Sequence, residues 1–214
     1  MEPRHRPRLL LADDHTLIAE ACRALLEPEF EVVAIVRDGR ELLRAAGQFK
    51  PDLIVADIGM PLLNGLDAGE QVKNLWPTVK LVYLTMQAGP DLAAEAFRRG
   101  ASAYLLKSSA ADELITAIRK VLRGESYLST LITKDTVGFL LRSGKTYVAD
   151  KQITPRQREV LQLLAEGKSM KEVATLLRLK PGTVAFHKYR IMSSLSLKTN
   201  AELLQYAIAH HMLA

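Results

Sequence analysis

A parallel α/β domain followed by a small all-α domain is the fold class that this 214-residue sequence predicts. Three observations carry it. Five short apolar runs in residues 1–125 alternate with longer amphipathic stretches. After about residue 152 strand patterning stops and helix-capping motifs take over. Positive charge, finally, gathers in that last segment, which holds 10 Lys+Arg against 4 Asp+Glu although the whole chain carries only +5.

The runs Leu9–Ala12, Val32–Val36, Leu53–Ala56, Leu81–Leu84 and Ala103–Leu106 are apolar throughout, as expected of strands buried on both faces. They follow one another at 20 to 28 residues, enough for a crossover helix between parallel strands. Stretches such as Leu17–Leu26 and Leu114–Leu122 have helical spacing. The first domain is therefore expected to be a (βα)5 unit over 1–125, with a five-stranded parallel sheet and a ligand site beyond the carboxyl ends of its strands. Residues 126–151 read as a linker, with a short helix from Thr133 to Leu141.

Residues 152–214 form the second domain. Capping boxes are expected at Thr154–Gln157, Ser169–Glu172 and Thr199–Glu202, where a hydroxyl and a side chain three residues on satisfy free N–H groups reciprocally. Pro181 opens a further helix at its first position, so four short helices are expected. The basic charge suits a polyanion partner for this domain alone. No apolar stretch approaches the roughly 18 to 20 residues of a membrane-spanning helix, and Leu9–Ala12 is too short for a signal peptide. The single cysteine, Cys22, excludes an intrachain disulfide, suits a reducing cytoplasm and reads as a small buried hydrophobe.

Chemistry-bearing residues fall where strands end. Asp13 and Asp14 follow the first strand, Asp57 the third, Thr85 the fourth and Lys107 the fifth. Clustered carboxylates repel, and Mg²⁺, which prefers oxygen ligands and keeps several waters, is the usual remedy. Lys107 supplies a cation for a phosphoryl oxygen.

Asp13-Asp14, Asp57 in VADIGMP, Thr85 and Lys107 after AYLL resemble the receiver domain of two-component response regulators, a flavodoxin-like fold. The resemblance implies that Asp57 takes a phosphoryl group from a sensor histidine kinase, and that the chain is no enzyme beyond this self-catalysed transfer and slow autodephosphorylation. It also implies that Asp13, Asp14, Asp57 and the Gly59 carbonyl hold Mg²⁺, Asp13 directly or through water. Lys107 would neutralise the phosphoryl oxygens and Thr85 would swing towards them. Tyr104 has two readings, a rotamer switch or static packing. Pro61 and Gly65 match the following turn, where restricted or permissive backbone angles are useful. A strand-end aspartate phosphatase would place a second Asp two residues beyond the nucleophile, where Gly59 stands.

Residues 152–209 resemble the LuxR-type helix-turn-helix of NarL/FixJ-class regulators, through TPRQREVL, LAEG, KEVA and Thr183-Val184 with His187. This implies a transcription regulator that binds double-stranded DNA as a homodimer, with a recognition helix from Pro181 to about Leu195 and a dimer surface on the helix after Thr199. Val184, Ile191 and Leu195 point inward at helical spacing, leaving Ala185, Phe186 and Tyr189 to face bases. Lys168, Ser169, Lys171, Lys180, Thr183, Lys188, Arg190, Lys198 and Thr199 are the phosphate-contact candidates. Two departures stand out. Lys180 occupies an N-cap where the family has Ser or Thr, and the reading face lacks Arg, Lys, Asn and Gln. That second departure leaves open a phosphoprotein adaptor whose DNA module is vestigial.

Overall fold

The computed structural model describes residues 6–132 and 153–213; the helix expected over 133–141 lies outside the described residues. The sheet of the first domain is wholly parallel, in the order β2-β1-β3-β4-β5-β6. Its strands are β1 (Arg8–Ala12), β2 (Glu31–Val36), β3 (Leu53–Ala56), β4 (Lys80–Thr85), β5 (Ala103–Leu106) and β6 (Tyr127–Leu128). The first five fall where the apolar runs put them. The sixth is a correction to the five-stranded expectation, since the segment read as linker first pairs with β5. Beyond it, Ile132 packs into the core of the first domain.

Alternate side chains of each strand feed two layers. Leu10, Ile54, Leu81, Tyr83 and Tyr104 pack towards α2 (Gly39–Phe49), α3 (Gly65–Leu75) and α4 (Pro90–Arg98). Leu9, Leu11, Val55, Val82 and Leu105 pack towards α1 (Thr16–Leu26) and α5 (Ala110–Leu122). Asp38 caps α2 by accepting from the Arg40 and Glu41 amides, and Asn64 caps α3 by accepting from the Asp67 amide. Such caps satisfy donors that a helix start leaves free.

The second domain has α6 (Pro155–Ala165), α7 (Met170–Leu177), α8 (Pro181–Ser194) and α9 (Asn200–Ala209). Val160, Leu163, Val173, Val184, Ile191 and Leu203 are fully or almost fully buried in its core. The first two capping boxes form as expected. The third forms by half: Thr199 accepts from the Glu202 amide, but Glu202 reaches back to the Lys198 amide instead of that of Thr199.

The two domains meet along a seam between α2, the β3–α3 loop and α3 on one side and α6 and α7 on the other. Arg40 donates to the Leu176 carbonyl (2.7 Å) and to Glu159 (3.3 Å). Gln71 reaches the other Glu159 oxygen. Gln162, fully buried, bonds to Met60 and Asn64, and Glu166 accepts from the Leu62 amide.

Candidate functional site

The strand register brings the acidic residues together. Ala12 pairs with Ala56, and the Asp57 amide donates to the Ala12 carbonyl at 2.8 Å, so Asp13 and Asp57 leave the sheet edge side by side. Thr85 pairs with Leu106, which sets Lys107 one step beyond it on the same edge. The Lys107 Nζ lies 2.6 Å from Asp57 Oδ2 and 2.8 Å from Asp13 Oδ2, bridging the two carboxylates with its own side chain only 3% exposed.

Burial pushes the Asp57 carboxyl above its ordinary value and Asp13 adds to this, while the Lys107 ammonium pulls it back. Burial also pulls Lys107 down, but bonds and charge from Asp13 and Asp57 outweigh it, so its pKa is raised and the ammonium is held charged. Cys22 is buried on α1 as expected, and burial first and Asp13 second push its thiol up to about 11.

Metal-ligating atoms of Asp13, Asp14, His15 and Asp57 all lie within 4.8 Å of one another. The Asp14 Oδ1 atom is buried without a hydrogen bond, although His15 Nδ1 stands 2.9 Å away. Three carboxylates converging at one sheet edge supply the hard oxygen donors that a divalent cation takes. His15 is the member that sequence reasoning missed; its only signal was its place directly after the Asp pair. The Gly59 amide donates to Asp57 Oδ1 at 3.3 Å, which fixes the start of the loop carrying the Gly59 carbonyl.

Thr85 is buried, and its Oγ1 accepts from the Gln87 amide at 3.3 Å. Tyr104 is fully buried, and its hydroxyl donates to the Gln87 carbonyl at 2.7 Å. Both residues therefore hold the same β4–α4 loop residue. Burial, with the Asp57 carboxylate second, raises the Tyr104 pKa, so the phenol stays protonated.

Gly65 owes its place to space and not to backbone angles. A Cβ there would come within 1.9 Å of the Asp57 carbonyl oxygen. The left-handed position in this turn belongs to Leu62, with φ at +65°.

On the second domain α8 presents Phe186 and Tyr189 to solvent, 59% and 73% exposed, with Arg190 above the Phe186 ring at 5.7 Å. Ala185 is half-buried beside them. Ser169, Lys171, Lys180, Lys198 and Thr199 are exposed, while Lys168, Thr183 and Lys188 are half-buried. Lys168, Ser169 and Lys188 share one open groove with Asn200. The Ser169 and Thr199 hydroxyls each accept one amide as helix caps, leaving their own hydrogens free to donate. Lys180 caps α8 without a side-chain bond, as its residue type dictates.

A buried aspartate site at the strand ends joined to a small helical domain with an exposed aromatic face on α8 is the arrangement of a DNA-binding response regulator that acts in transcription. Residues 9–119 match the response regulator receiver domain family, and residues 151–207 match the luxR family of bacterial regulatory proteins. The chain belongs to the response regulator receiver family, with a LuxR-type domain behind it. The oxygen regulatory protein NreC of Staphylococcus aureus (strain JH9) is 32% identical over 96% of this chain and 99% of its own. A LuxR-family two-component response regulator from Aurantimonas sp. SI85-9A1 is 30% identical over 66% of this chain and 99% of that chain, with a TM-score of 0.58. The RcsB protein of Salmonella enterica serovar Typhimurium, solved on promoter P1flhDC with a phosphomimetic, shares the fold at TM-score 0.59 and 24% identity, covering 94% of this chain and 98% of its own. Among the described residues no helix is long and apolar enough to cross a membrane.

Proposed function

We propose that Asp57 accepts a phosphoryl group from the phosphohistidine of a sensor histidine kinase, in a Mg²⁺-dependent reaction, and that the protein regulates transcription by binding a specific duplex sequence as a dimer. The observation that carries this reading is the Lys107 ammonium bridging Asp57 and Asp13 beside the Asp14 carboxylate. Asp57 is the nucleophile: its carboxylate oxygen bonds to phosphorus as the phosphorus–nitrogen bond breaks and the imidazole departs. Lys107 then pairs with a phosphoryl oxygen, and Thr85 turns its hydroxyl to another. Asp13, Asp14, Asp57 and the Gly59 carbonyl would hold Mg²⁺, which when bound offsets the charge of carboxylates and phosphoryl oxygens. The protein turns over no other substrate; slow loss of its own phosphoryl group completes the cycle, in the cytoplasm.

One recognition helix reads a half-site, so specific binding calls for two copies. Leu204 and Ile208, exposed on α9, offer an apolar surface for that pairing. Phe186 and Tyr189 suit contacts with thymine methyls, and the lysines of α7 and α8 suit phosphates. Incubating the protein and its Asp57→Asn variant with Mg²⁺ and acetyl phosphate tests the switch. The native chain is expected to gain one acid-stable, base-labile phosphoryl group and the variant none; equal labelling of both, or none of either, would refute it. Selecting bound duplexes from random DNA tests the second half, and no enrichment over input would refute sequence-specific reading.

A further inference from the structure

Gln162 belongs to the DNA-binding domain, yet three of its four side-chain hydrogen bonds go to the loop beside the phosphoacceptor site. Its Nε2 donates to the Met60 carbonyl at 3.0 Å and to Glu166 Oε1 at 2.9 Å. Its Oε1 accepts from the Asn64 amide at 2.8 Å and from Asn64 Nδ2 at 3.1 Å. Two donors and two acceptor sites are the full capacity of a primary amide. Flipping the group would set oxygen against the Met60 carbonyl and N–H against the Asn64 amide, so the network dictates its orientation. Glu166 extends the grip by accepting from the Leu62 amide at 2.8 Å. Leu62 holds a left-handed φ of +65°, unfavourable for a branched side chain, and packs against the core of the DNA-binding domain.

The gripped segment, Met60 to Asn64, begins one residue after Gly59, whose carbonyl is a metal ligand in the reading above. Three of its backbone polar groups, the Met60 carbonyl and the Leu62 and Asn64 amides, are satisfied from the other domain. A loop so held has few alternative conformations, and a metal-ligating carbonyl at its root is positioned in advance of the ion. We propose that Gln162 is a positioning residue of the phosphoacceptor site: through Met60 and Asn64 it sets the loop that presents the Gly59 carbonyl, so the DNA-binding domain contributes to Mg²⁺ affinity at Asp57. Linkage makes the effect reciprocal, and Mg²⁺ at the site strengthens docking of the two domains by the same factor. The docked seam uses α6 and α7 and leaves Phe186 and Tyr189 on α8 open, so this coupling does not require the recognition helix to be covered.

The inference rests on the Mg²⁺ site proposed above, and the experiment separates the two. Mg²⁺ alone is titrated into the ¹⁵N-labelled full chain and followed by amide shifts, for the native protein and for Asp57→Asn, Gln162→Ala, Arg40→Ala and Glu166→Ala. The native chain is expected to bind and Asp57→Asn to bind much more weakly. Native protein that takes no Mg²⁺ would overturn the site itself and this inference with it. Gln162→Ala is expected to raise the Mg²⁺ Kd by about tenfold, as loss of a group that orients a metal ligand does. Arg40→Ala breaks the seam away from the 60–64 segment and is expected to leave Kd within about twofold of native. A Gln162→Ala Kd within twofold of native overturns the proposal while leaving the site intact. An equal loss in Arg40→Ala with the Leu62 and Asn64 amide shifts still those of the docked loop would overturn it as well, since something other than the Gln162 grip would then set the affinity. If Gln162→Ala does not fold, Glu166→Ala, at a half-buried position, removes the acceptor of the Leu62 amide and is read by the same two limits.

Discussion

Arg99 offers the sharpest stability test in the receiver. Its guanidinium is 11% exposed and ties α4 to α3, with Nη1 2.6 Å from Asp67 Oδ1 and 3.2 Å from Glu70 Oε2, and Nε 2.5 Å from Glu95 Oε1. Arg99→Ala leaves the Asp67 carboxylate, 8% exposed, without its cation. Removing one partner of a buried pair costs about 3 to 5 kcal/mol. The lower end applies because Asn64 Nδ2 still donates to Asp67 at 2.9 Å and the Glu70 side chain, 46% exposed, falls back on water. The expected loss is therefore about 3 kcal/mol, a urea midpoint shift of roughly 1 to 3 M at ordinary denaturant slopes. Trp76, the single tryptophan, sits at the end of α3, so its fluorescence reports receiver unfolding within the full chain. In an Asp67→Asn background the same Arg99 change should cost at least about 1 kcal/mol less, the signature of residues that interact directly. A loss under about 1 kcal/mol in the native background would refute the assignment of this cluster as the α3–α4 tie.

Two further outcomes follow from local chemistry. Glu113 on α5 accepts from Ser109 and from both the amide and hydroxyl of Thr130; burial opposes these bonds, but they prevail and its pKa lies below its ordinary 4.5. A depressed carboxyl contributes stability that is complete above the unfolded value and disappears as pH falls through the folded one. Glu113→Gln is thus expected to flatten the loss of stability below about pH 4.5, and denaturation curves of equal steepness against pH would contradict it. Lys180→Ser gives α8 the missing cap and is expected to stabilise the second domain by about 1 kcal/mol. If Lys180 also meets a phosphate, the same change lowers the salt dependence of DNA binding by about one ion. Helical melting followed by circular dichroism and binding across a salt series read the two effects separately.

The strands were legible because a parallel strand buried on both faces must be apolar along its length, and each crossover leaves a long polar gap. The strand-end residues were legible for the same reason: once the strands are placed, Asp13, Asp57, Thr85 and Lys107 can only gather at one edge. What stayed hidden is tertiary. Two residues, Tyr127 and Leu128, are too few for a period, so β6 looks like linker. Gln162, Glu159 and Glu166 lie at helical spacing in a polar pattern, and nothing along the chain tells a glutamine facing water from one facing another domain. Gly65 was placed correctly for the wrong reason, because a close approach to a carbonyl and a special backbone angle leave the same mark in a sequence. The partner of Tyr104, a main-chain carbonyl, has no side-chain signature at all.

The seam between the domains is built mostly from amides, carbonyls and an arginine–carboxylate pair, with Leu62 as its apolar plug. Groups of that kind exchange one partner for water without great loss. Parting the domains breaks chiefly polar contacts. Exposing polar surface lowers the heat capacity where exposing apolar surface raises it, so separation shifts less with temperature than parting an apolar joint of the same size. Ions in the medium compete with Arg40 and Glu159 more readily than warmth loosens them. The joint behaves as a fitted clasp, fixing how the two halves register while leaving them easy to part.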